Sequence, residues 1–399
     1  LLFEELADPN TTTRAATGIY EWDRVIGEGG LMPGSFLMLT GDPGIGKSTL
    51  LLQVAAALST HHSVLYFSTE ESGMQLKGRG GRLGLANKTN LRFSDCSDLE
   101  TILILAEKEK PTVLIIDSIQ NCLLPTEEKS IPGTVSMLKH AGFLLMTLAK
   151  KHTITVIVTG HITKEGQMAG PKLLEHIVDG VFYLQGEDRL HVRMLRAVKN
   201  RFGTIDEVGF FEMTQTGLTP VGNINAYLLS HATSAPGAAL TCSMEGTRPL
   251  LVELQALCVH TKFAMPQRIV TGIDSKRVTL IAAILEKHLQ IGFSAVDIFF
   301  KVGGGFFLKE SASDLAIALA LLSSFFQQEL PPHTLALGEL SLTGHIKPIV
   351  LFEPRIKESS NFGITTIICA EEQGYSGDKK VSRFKSVFQL LTLFPSTAQ

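Results

Sequence analysis

The chain has 399 residues, of which 44% are hydrophobic, so it can bury more than one core and two domains are expected. Its formal net charge of −3 gives no overall attraction to nucleic acid or to acidic membranes, so any DNA affinity must come from local basic patches. The five cysteines are scattered without a C-x-x-C pair, which predicts free thiols in a reducing, cytoplasmic setting and no zinc site.

The sequence predicts no transmembrane or signal segment. The longest apolar stretch of the second half, from Leu315 to Phe326, is too short to cross a bilayer, and we find no signal segment. The chain begins at Leu1 rather than Met and continues into a polar run, which suggests that an upstream piece has been removed. No membrane partner is therefore expected.

The first half alternates short β-rich apolar runs with helical segments, a pattern typical of a mostly parallel α/β sheet. Four runs are predicted as strands, at residues 35–40, 63–69, 112–117 and 153–160. Ligands bind such sheets at the carboxyl ends of the strands. The polar residues that end these runs are therefore the first candidates for chemistry.

A glycine-rich loop follows the first predicted strand and leads into a predicted helix from Lys47 to Leu58. Residues 41–49 read GDPGIGKST, a complete phosphate-binding loop. Its glycines let backbone N–H groups approach phosphate oxygens, while Lys47 would reach the β- and γ-phosphates and Ser48 would bind Mg²⁺. The motif predicts ATP and Mg²⁺ as cofactors, bound by Gly41, Asp42, Pro43, Gly44, Ile45, Gly46, Lys47, Ser48 and Thr49.

Three further strand ends carry candidate groups. Asp117 could hold Mg²⁺ through water, or simply cap a turn. One of the adjacent acids Glu70 and Glu71 could activate the attacking water; Glu70 is preferred, and a solvated acidic loop is the alternative. His161 is either a sensor of the γ-phosphate or an ordinary hydrogen-bonding residue.

After Tyr183 the pattern becomes antiparallel and runs directly into the basic segment VKNRFG at residues 198–203. This places Lys199 and Arg201 at the rim of a β-hairpin, facing away from their own phosphate loop. An Arg supplied to a neighbouring subunit would stabilise charge on the γ-phosphate and make hydrolysis depend on assembly. Taken alone, the motif also fits a solvated basic turn.

Together these segments resemble the bacterial RadA (Sms) family of RecA-related ATPases in homologous recombination and repair. The phrases that carry the resemblance are TGIYEWDRVIGEGGLMPGS, GDPGIGKSTLLLQ, YFSTEES, IIDSIQ, VTGHITKEGQMAGPKLLEHIVDGVFYLQGE and VKNRFG. The resemblance implies a RecA-like P-loop ATPase domain over residues 1–222. It also implies a hexameric ring of the DnaB helicase type that moves on single-stranded DNA and drives branch migration, with a RecA-type recombinase as partner. A strand-exchange ATPase that forms filaments without unwinding is the alternative.

The resemblance also assigns roles to individual residues. The catalytic and metal-side roles fall on Lys47, Ser48, Glu70, Asp117, Lys199 and Arg201. Two segments match the DNA loops of the central channel, residues 130–139 and 163–172, with Lys139, Lys164 and Lys172 as candidates for phosphate contacts. Members normally begin with a four-cysteine zinc module, which this sequence lacks, so zinc is not expected and the functions of that module are in doubt.

The second half resembles the proteolytic domain of Lon, which implies an α+β, S5-like fold for residues 240–399. The phrases are VELQAL, GGGFFLKESASDLAIALAL and GELSLTGHIKPI. Asparagines, a proline and small residues suggest that residues 223–239 are a linker. The retained fold is expected to support a ring, and Lys276, Arg277, Lys301 and Lys309 are candidates for a branched-DNA or duplex surface.

The Lon resemblance raises a rival function, an ATP-dependent protease with a Ser/Lys dyad. Ser313 falls at the nucleophile position, but the position of the general base falls at or beside Arg355. A guanidinium cannot give up its proton in a protein, and Lys357 would require a shifted register. We therefore expect this domain to be proteolytically inactive.

Overall fold

The computed structural model describes residues 13–85, 89–124, 134–161, 174–186, 192–230, 232–262 and 265–395. The chain separates into two compact units, Leu1–Val221 and Gly222–Gln399. Within the described residues, no helix is long and apolar enough to cross a membrane.

The first unit is built on one large sheet with helices on both faces. Its described strands are β1 (Phe36–Gly41), β2 (Val64–Ser68), β3 (Leu91–Ser94), β4 (Val113–Asp117), β5 (Thr155–His161), β6 (Gly180–Gly186), β7 (Val192–Asn200), β8 (Val208–Thr214) and β9 (Gly217–Pro220). Its described helices are α1 (Tyr20–Ile26), α2 (Lys47–Leu58), α3 (Gly73–Arg82), α4 (Leu99–Glu109) and α5 (Val135–His152).

The strand order of this sheet is β3-β2-β4-β5-β1-β6-β7-β8-β9. The strands from β3 to β6 pair in parallel, whereas β7, β8 and β9 pair antiparallel. All residues of β1, β2 and β4 are buried because helices cover both faces, which explains their nearly continuous apolar sequences. The predicted α/β fold and the helix from Lys47 to Leu58 are confirmed.

This topology brings the ends of four strands together. In the sheet, β2, β4, β5 and β1 are consecutive neighbours and run parallel, so their carboxyl ends share one edge. The phosphate loop leaves β1 at this edge and enters α2. The polar residues that follow β2, β4 and β5 are therefore grouped around the loop, as expected for an α/β sheet.

The second unit contains a mixed sheet. Its described strands are β10 (Ala238–Glu245), β11 (Arg248–His260), β12 (Arg268–Thr271), β13 (Val296–Val302), β14 (Thr334–Leu337), β15 (Glu339–Leu340), β16 (Ile346–Lys347), β17 (Thr366–Ala370) and β18 (Lys380–Phe384). Its described helices are α6 (Ile224–Leu229), α7 (Ser275–Leu289), α8 (Asp314–Phe326) and α9 (Phe352–Ser360). The larger sheet has the order β12-β13-β11-β10-β14-β17-β18, and β15 pairs with β16.

The segment suggested as a linker belongs to the second unit instead. Asn223 caps α6 by accepting a hydrogen bond from the backbone of Ala226 at 3.0 Å. Asn225 is buried and donates to the carbonyl of Pro249 at 2.9 Å and to Glu358 Oε1 at 2.6 Å. The two asparagines that suggested a linker are therefore a helix cap and a buried side chain that bonds to other parts of the second unit.

A candidate nucleotide site at the edge of the first sheet

The phosphate loop is shaped by glycines with a left-handed backbone. Gly44 and Gly46 have φ angles of 77° and 113°, which residues with a side chain rarely adopt. At Gly41, a Cβ atom would lie 2.2 Å from the carbonyl oxygen of Leu184, so a side chain has no room there. The sequence therefore folds into a tight loop whose end forms the first turn of α2.

Lys47 is the buried cation of this loop. Its side chain is 5% exposed, and its Nζ donates to the carbonyl oxygens of Gly41 at 2.9 Å and Asp42 at 3.1 Å. Burial lowers the pKa of Lys47, and the carboxylates of Asp117, Glu70 and Asp42 oppose this shift without reversing it. A desolvated ammonium at the start of a helix is suited to hold the phosphates of a nucleotide.

Asp117 is fixed by two hydroxyl groups at the end of β4. Tyr66 donates to Asp117 Oδ2 at 2.8 Å, and Thr159 donates to Asp117 Oδ1 at 2.5 Å. Burial, followed by the charge of this carboxylate, raises the pKa of Tyr66 well above its usual value of 10.0. Tyr66 therefore remains a neutral donor and orients the carboxylate towards the edge where the loop lies.

The two adjacent acids after β2 enter different networks. Glu70 accepts a hydrogen bond from the hydroxyl of the buried Ser118 at 2.6 Å, and its charge acts on Lys47. Glu71 instead forms an ion pair with Arg79 of α3. Of the two, Glu70 is the carboxylate connected to the loop and to the residue after Asp117.

The backbone of His161 pairs with Gly41, so β5 ends directly beside the loop. The side chain of His161 is outside the described part of the structure, and its role as a sensor stays a prediction. The neighbouring Thr159 is fully buried and bonded to Asp117. Thr159 therefore joins Asp117 by a hydrogen bond to β5, the strand that ends at His161.

The residues at this edge fit Mg²⁺ and a nucleotide triphosphate. Ser48 and Asp117 offer hydroxyl and carboxylate oxygens, the donors that Mg²⁺ prefers, and the buried Lys47 supplies positive charge for phosphate. When bound, Mg²⁺ would neutralise phosphate charge. Glu70 is a carboxylate beside this loop, held by the hydroxyl of Ser118, and a carboxylate is a group that can orient a water.

Arg201 and Lys199 lie at the opposite edge of the sheet. Arg201 Nη1 lies 3.1 Å from Asp179 Oδ1, and Asp179 Oδ2 accepts from the backbone N–H of Phe36, the first residue of β1. The phosphate loop begins at the last residue of β1, Gly41, roughly 16 Å away along the strand. Lys199 Nζ donates to the carbonyl of Glu175 at 2.5 Å.

A β-bulge sets the direction of this basic turn. Val181 pairs with Lys199 and Phe182 pairs with Ala197, so Val198 is left without a partner in the β6–β7 ladder. An extra residue of this kind bends a strand and turns the side chains that follow it. Arg201 emerges beyond the bulge with 58% of its side chain exposed.

Family models match both units of the chain. A model described as an AAA domain matches residues 11–167, and one described as subunit ChlI of Mg-chelatase matches residues 277–373. Among solved structures, that of the RadB recombinase aligns with a TM-score of 0.42 at 22% identity, covering 52% of this chain and 99% of that chain.

Full-length relatives decide the family. DNA repair protein RadA of Synechocystis sp. is 44% identical over 391 residues, which cover 94% of this chain and 77% of that protein. DNA repair protein RadA of Bacillus subtilis is 44% identical over 357 residues, which cover 89% of this chain and 77% of that protein. The chain belongs to the RadA family of DNA repair proteins.

Membership of the RadA family establishes the first unit as a RecA-like P-loop ATPase core. Nucleotide binding and ATP hydrolysis follow from that family, and the loop from Gly41 to Thr49 is where the geometry can hold the phosphates. The second unit, with its mixed sheet and helices, has the α+β character expected for a Lon-like domain.

In this RadA-family chain the candidate DNA residues differ in their surroundings. Lys139 is exposed on the first turns of α5, whereas Lys164 and Lys172 are outside the described residues. Lys276, Lys301 and Lys309 are exposed in the second unit. Arg277 differs from these lysines, because its side chain is only 17% exposed and its Nε donates to Asp314 Oδ1 at 2.7 Å. A DNA contact by any of these residues stays a prediction.

At the position that resembles the general base of the Lon dyad, Arg355 forms an ion pair with Glu310. Arg355 is 1% exposed and donates from both Nη atoms to the carboxylate of Glu310, at 2.6 and 2.7 Å. The hydroxyl of the buried Ser313 donates to the carbonyl of Glu310 at 3.2 Å, and Lys357 is exposed. Arg355 is committed to this pair and, as a guanidinium, cannot take a proton from Ser313. That the second unit is not a protease stays a prediction.

Three residues of the first unit were missed by sequence reasoning. Tyr66 and Ser118 donate to the candidate carboxylates Asp117 and Glu70, and Asp179 accepts from Arg201. The signal that could have pointed to Tyr66 is its phenolic hydroxyl within the largely apolar strand β2, because a buried hydroxyl needs a hydrogen-bond partner. Nothing local distinguishes Asp179, because its partners Phe36, Lys150 and Arg201 are all distant from it in the sequence.

Proposed function

We propose that this protein is an ATP-driven DNA motor that assembles as a hexameric ring of the DnaB type. It moves along single-stranded DNA and promotes branch migration during homologous recombination and repair. The observation that carries the proposal is the position of Arg201 at the edge of the sheet opposite its own phosphate loop. An exposed arginine there can serve a neighbouring subunit but not the nucleotide of its own subunit.

In such a ring, ATP would be hydrolysed at the interface between two subunits. Lys47, Ser48 and Asp117 hold the nucleotide and Mg²⁺, and Glu70 activates the attacking water. Arg201 and Lys199 of the next subunit stabilise the charge that develops on the γ-phosphate. Because the second set of groups is supplied in trans, turnover depends on assembly.

The coupling to DNA is proposed to run through the segments that follow β4 and β5. Asp117 and Thr159, at the ends of these strands, share a hydrogen bond, and the segments 130–139 and 163–172 come after them in the chain. Lys139, Lys164 and Lys172 would contact phosphates, so binding should be sequence-independent and salt-sensitive. A RecA-type recombinase is the expected partner, since branch migration acts on the intermediates that such an enzyme makes.

The experiment that tests the trans role compares Arg201→Ala with Arg24→Ala. Arg24 is also a partly exposed arginine of the first unit, and its weak pairing with Glu207 at 3.9 Å makes it a matched control. Arg201→Ala should bind a fluorescent ATP analogue normally and lose turnover by about a thousandfold, while Arg24→Ala stays near wild type. Normal hydrolysis by Arg201→Ala would show that the trans role is wrong.

A further inference from the structure

Asp179 joins three groups at the edge of the sheet where Arg201 emerges. Its carboxylate accepts hydrogen bonds from Arg201 Nη1 at 3.1 Å, from Lys150 Nζ at 2.6 Å and from the backbone N–H of Phe36 at 3.0 Å. Its own carbonyl oxygen accepts from the backbone N–H of Arg201 at 3.1 Å. Asp179 is 3% exposed, so this is a buried acid connecting a strand, a helix and the basic turn.

The charges at this point favour an ionised carboxylate. Burial alone would raise the pKa of Asp179, but the hydrogen bonds and charge of Lys150, the N–H of Phe36 and the hydrogen bond from Arg201 hold it below its usual value. Lys150 contributes because α5 brings its last turn to this edge. Asp179 is therefore a fixed anion at neutral pH, with two cations sharing it.

We propose that Asp179, tethered by Phe36 and Lys150, is a positioning residue for Arg201. This inference rests on the proposed trans role of Arg201. Asp179 holds Arg201 at two points, the backbone N–H and one Nη atom, yet 58% of the arginine side chain stays exposed. Holding both ends of a long side chain removes most of its rotational freedom before it meets a phosphate.

Lys150 explains why the contact with Asp179 does not cancel the positive charge of Arg201. A lone buried carboxylate would neutralise Arg201, whereas here Lys150 Nζ bonds the other carboxylate oxygen. The carboxylate is thus shared, and Arg201 keeps net positive charge for a partner. Lys150 also restrains the carboxylate, since it and the N–H of Phe36 both bond Oδ2.

Mixed rings test this inference. Asp179→Asn is nearly isosteric and keeps an acceptor oxygen for Phe36, but it loses the charge that holds Arg201. Alone it should bind nucleotide normally and turn over at least tenfold more slowly. Mixing it with Lys47→Ala subunits, which cannot hydrolyse but carry an intact Arg201, should restore activity, as it should for Arg201→Ala. A merely structural role would damage the nucleotide site of the same subunit, which mixing cannot repair.

The outcomes separate this inference from the proposed function. If Lys47→Ala subunits fail to rescue Arg201→Ala, the trans mechanism itself is wrong. If they rescue Arg201→Ala but not Asp179→Asn, or if Asp179→Asn turns over normally alone, the positioning role of Asp179 is wrong.

A second variant covers the case in which Asp179→Asn does not fold. Lys150 is 51% exposed, so Lys150→Met should be tolerated while it loosens Asp179. Its turnover should fall, and the same mixing should restore it. Lys151→Met is the matched control, because Lys151 is the next residue of α5 and pairs with Glu107 instead. Equal turnover for the two variants would overturn the inference.

Discussion

Glu70 and Glu71 are neighbours in the sequence with separate tasks in the fold. Glu70 is bonded by Ser118 and acts electrostatically on Lys47, whereas Glu71 is neutralised by Arg79. A carboxylate that activates the attacking water must lie near the phosphates. Of these two acids, Glu70 is the one whose charge acts on Lys47 of the phosphate loop.

Exchanging each acid for its amide should separate the two roles. Glu70→Gln should bind nucleotide but lose turnover by about a hundredfold or more, the range for removing a general base. Glu71→Gln should lose only a partly exposed ion pair with Arg79 and hydrolyse ATP near the wild-type rate. The check is steady-state ATPase activity alongside nucleotide binding, and the reverse order of effects would refute the assignment to Glu70.

Residues of the site could be predicted where a short local sequence motif marks their role. Lys47, Ser48 and Asp117 were found because a phosphate loop and a strand end have local signatures. The donors Tyr66 and Ser118 were not, because their partners are far away in the sequence. The ion pair between Arg277 and Asp314 was missed for the same reason, since only the fold brings the two residues together.

At the scale of elements, α3 is a helix of low intrinsic stability beside Glu71. Its sequence, GMQLKGRGGR, contains several glycines, and a Cβ at Gly78 would meet no atom within 4 Å. Glycine in a helix interior costs roughly 1 kcal/mol relative to alanine. Its capping box at Ser72 and Gln75 offsets part of this cost.

Gly78→Ala should therefore raise the free energy of unfolding by about 0.5 to 1 kcal/mol. Gly217→Ala should do the opposite, because Gly217 has φ 114° and its Cβ would lie 2.6 Å from Leu83 Cδ2. Denaturant unfolding of the two variants measures both effects. Destabilisation by Gly78→Ala would mean that this helix face is covered.

Helices and strands with a regular hydrophobic pattern were predicted well, whereas polar connecting segments were not. The strands β1, β2, β4 and β5 and the helix α2 follow from buried runs and the loop between them. We predicted a linker at residues 223–239 because asparagine and small residues are typical both of turns and of helix N-caps. The burial of Asn225 that makes it part of the second unit is a tertiary effect.

At the scale of the whole molecule, the second unit holds an ion pair between the buried Arg355 and the partly exposed Glu310, where a Lon-like protease would hold its base. Removing one partner of such a pair leaves the other charge uncompensated. Glu310 also accepts from the backbone of Met244 in β10 at 2.8 Å, so Arg355 and Glu310 connect α9 to the sheet. The pair therefore supports the packing of this unit.

Arg355→Ala should lower the free energy of unfolding by about 3 kcal/mol, while Lys357→Ala, an exposed change on the same helix, should alter it by about 0.5 kcal/mol or less. ATP binding by the first unit should be unchanged in both variants. Thermal and denaturant unfolding, with nucleotide binding measured in parallel, provide the check. A small effect of Arg355→Ala would mean that the ion pair is dispensable.

The most direct test of a ring-shaped DNA motor is an ATP-dependent branch-migration assay on forked DNA, with the mass of the assembly measured in the same buffer. We expect hexamers that extend the branch only with ATP, and hexamers of Lys47→Ala that bind the DNA but do not move its branch point. Open assemblies of variable length, or hydrolysis of ATP without branch movement, would contradict it and favour a filament-forming strand-exchange ATPase.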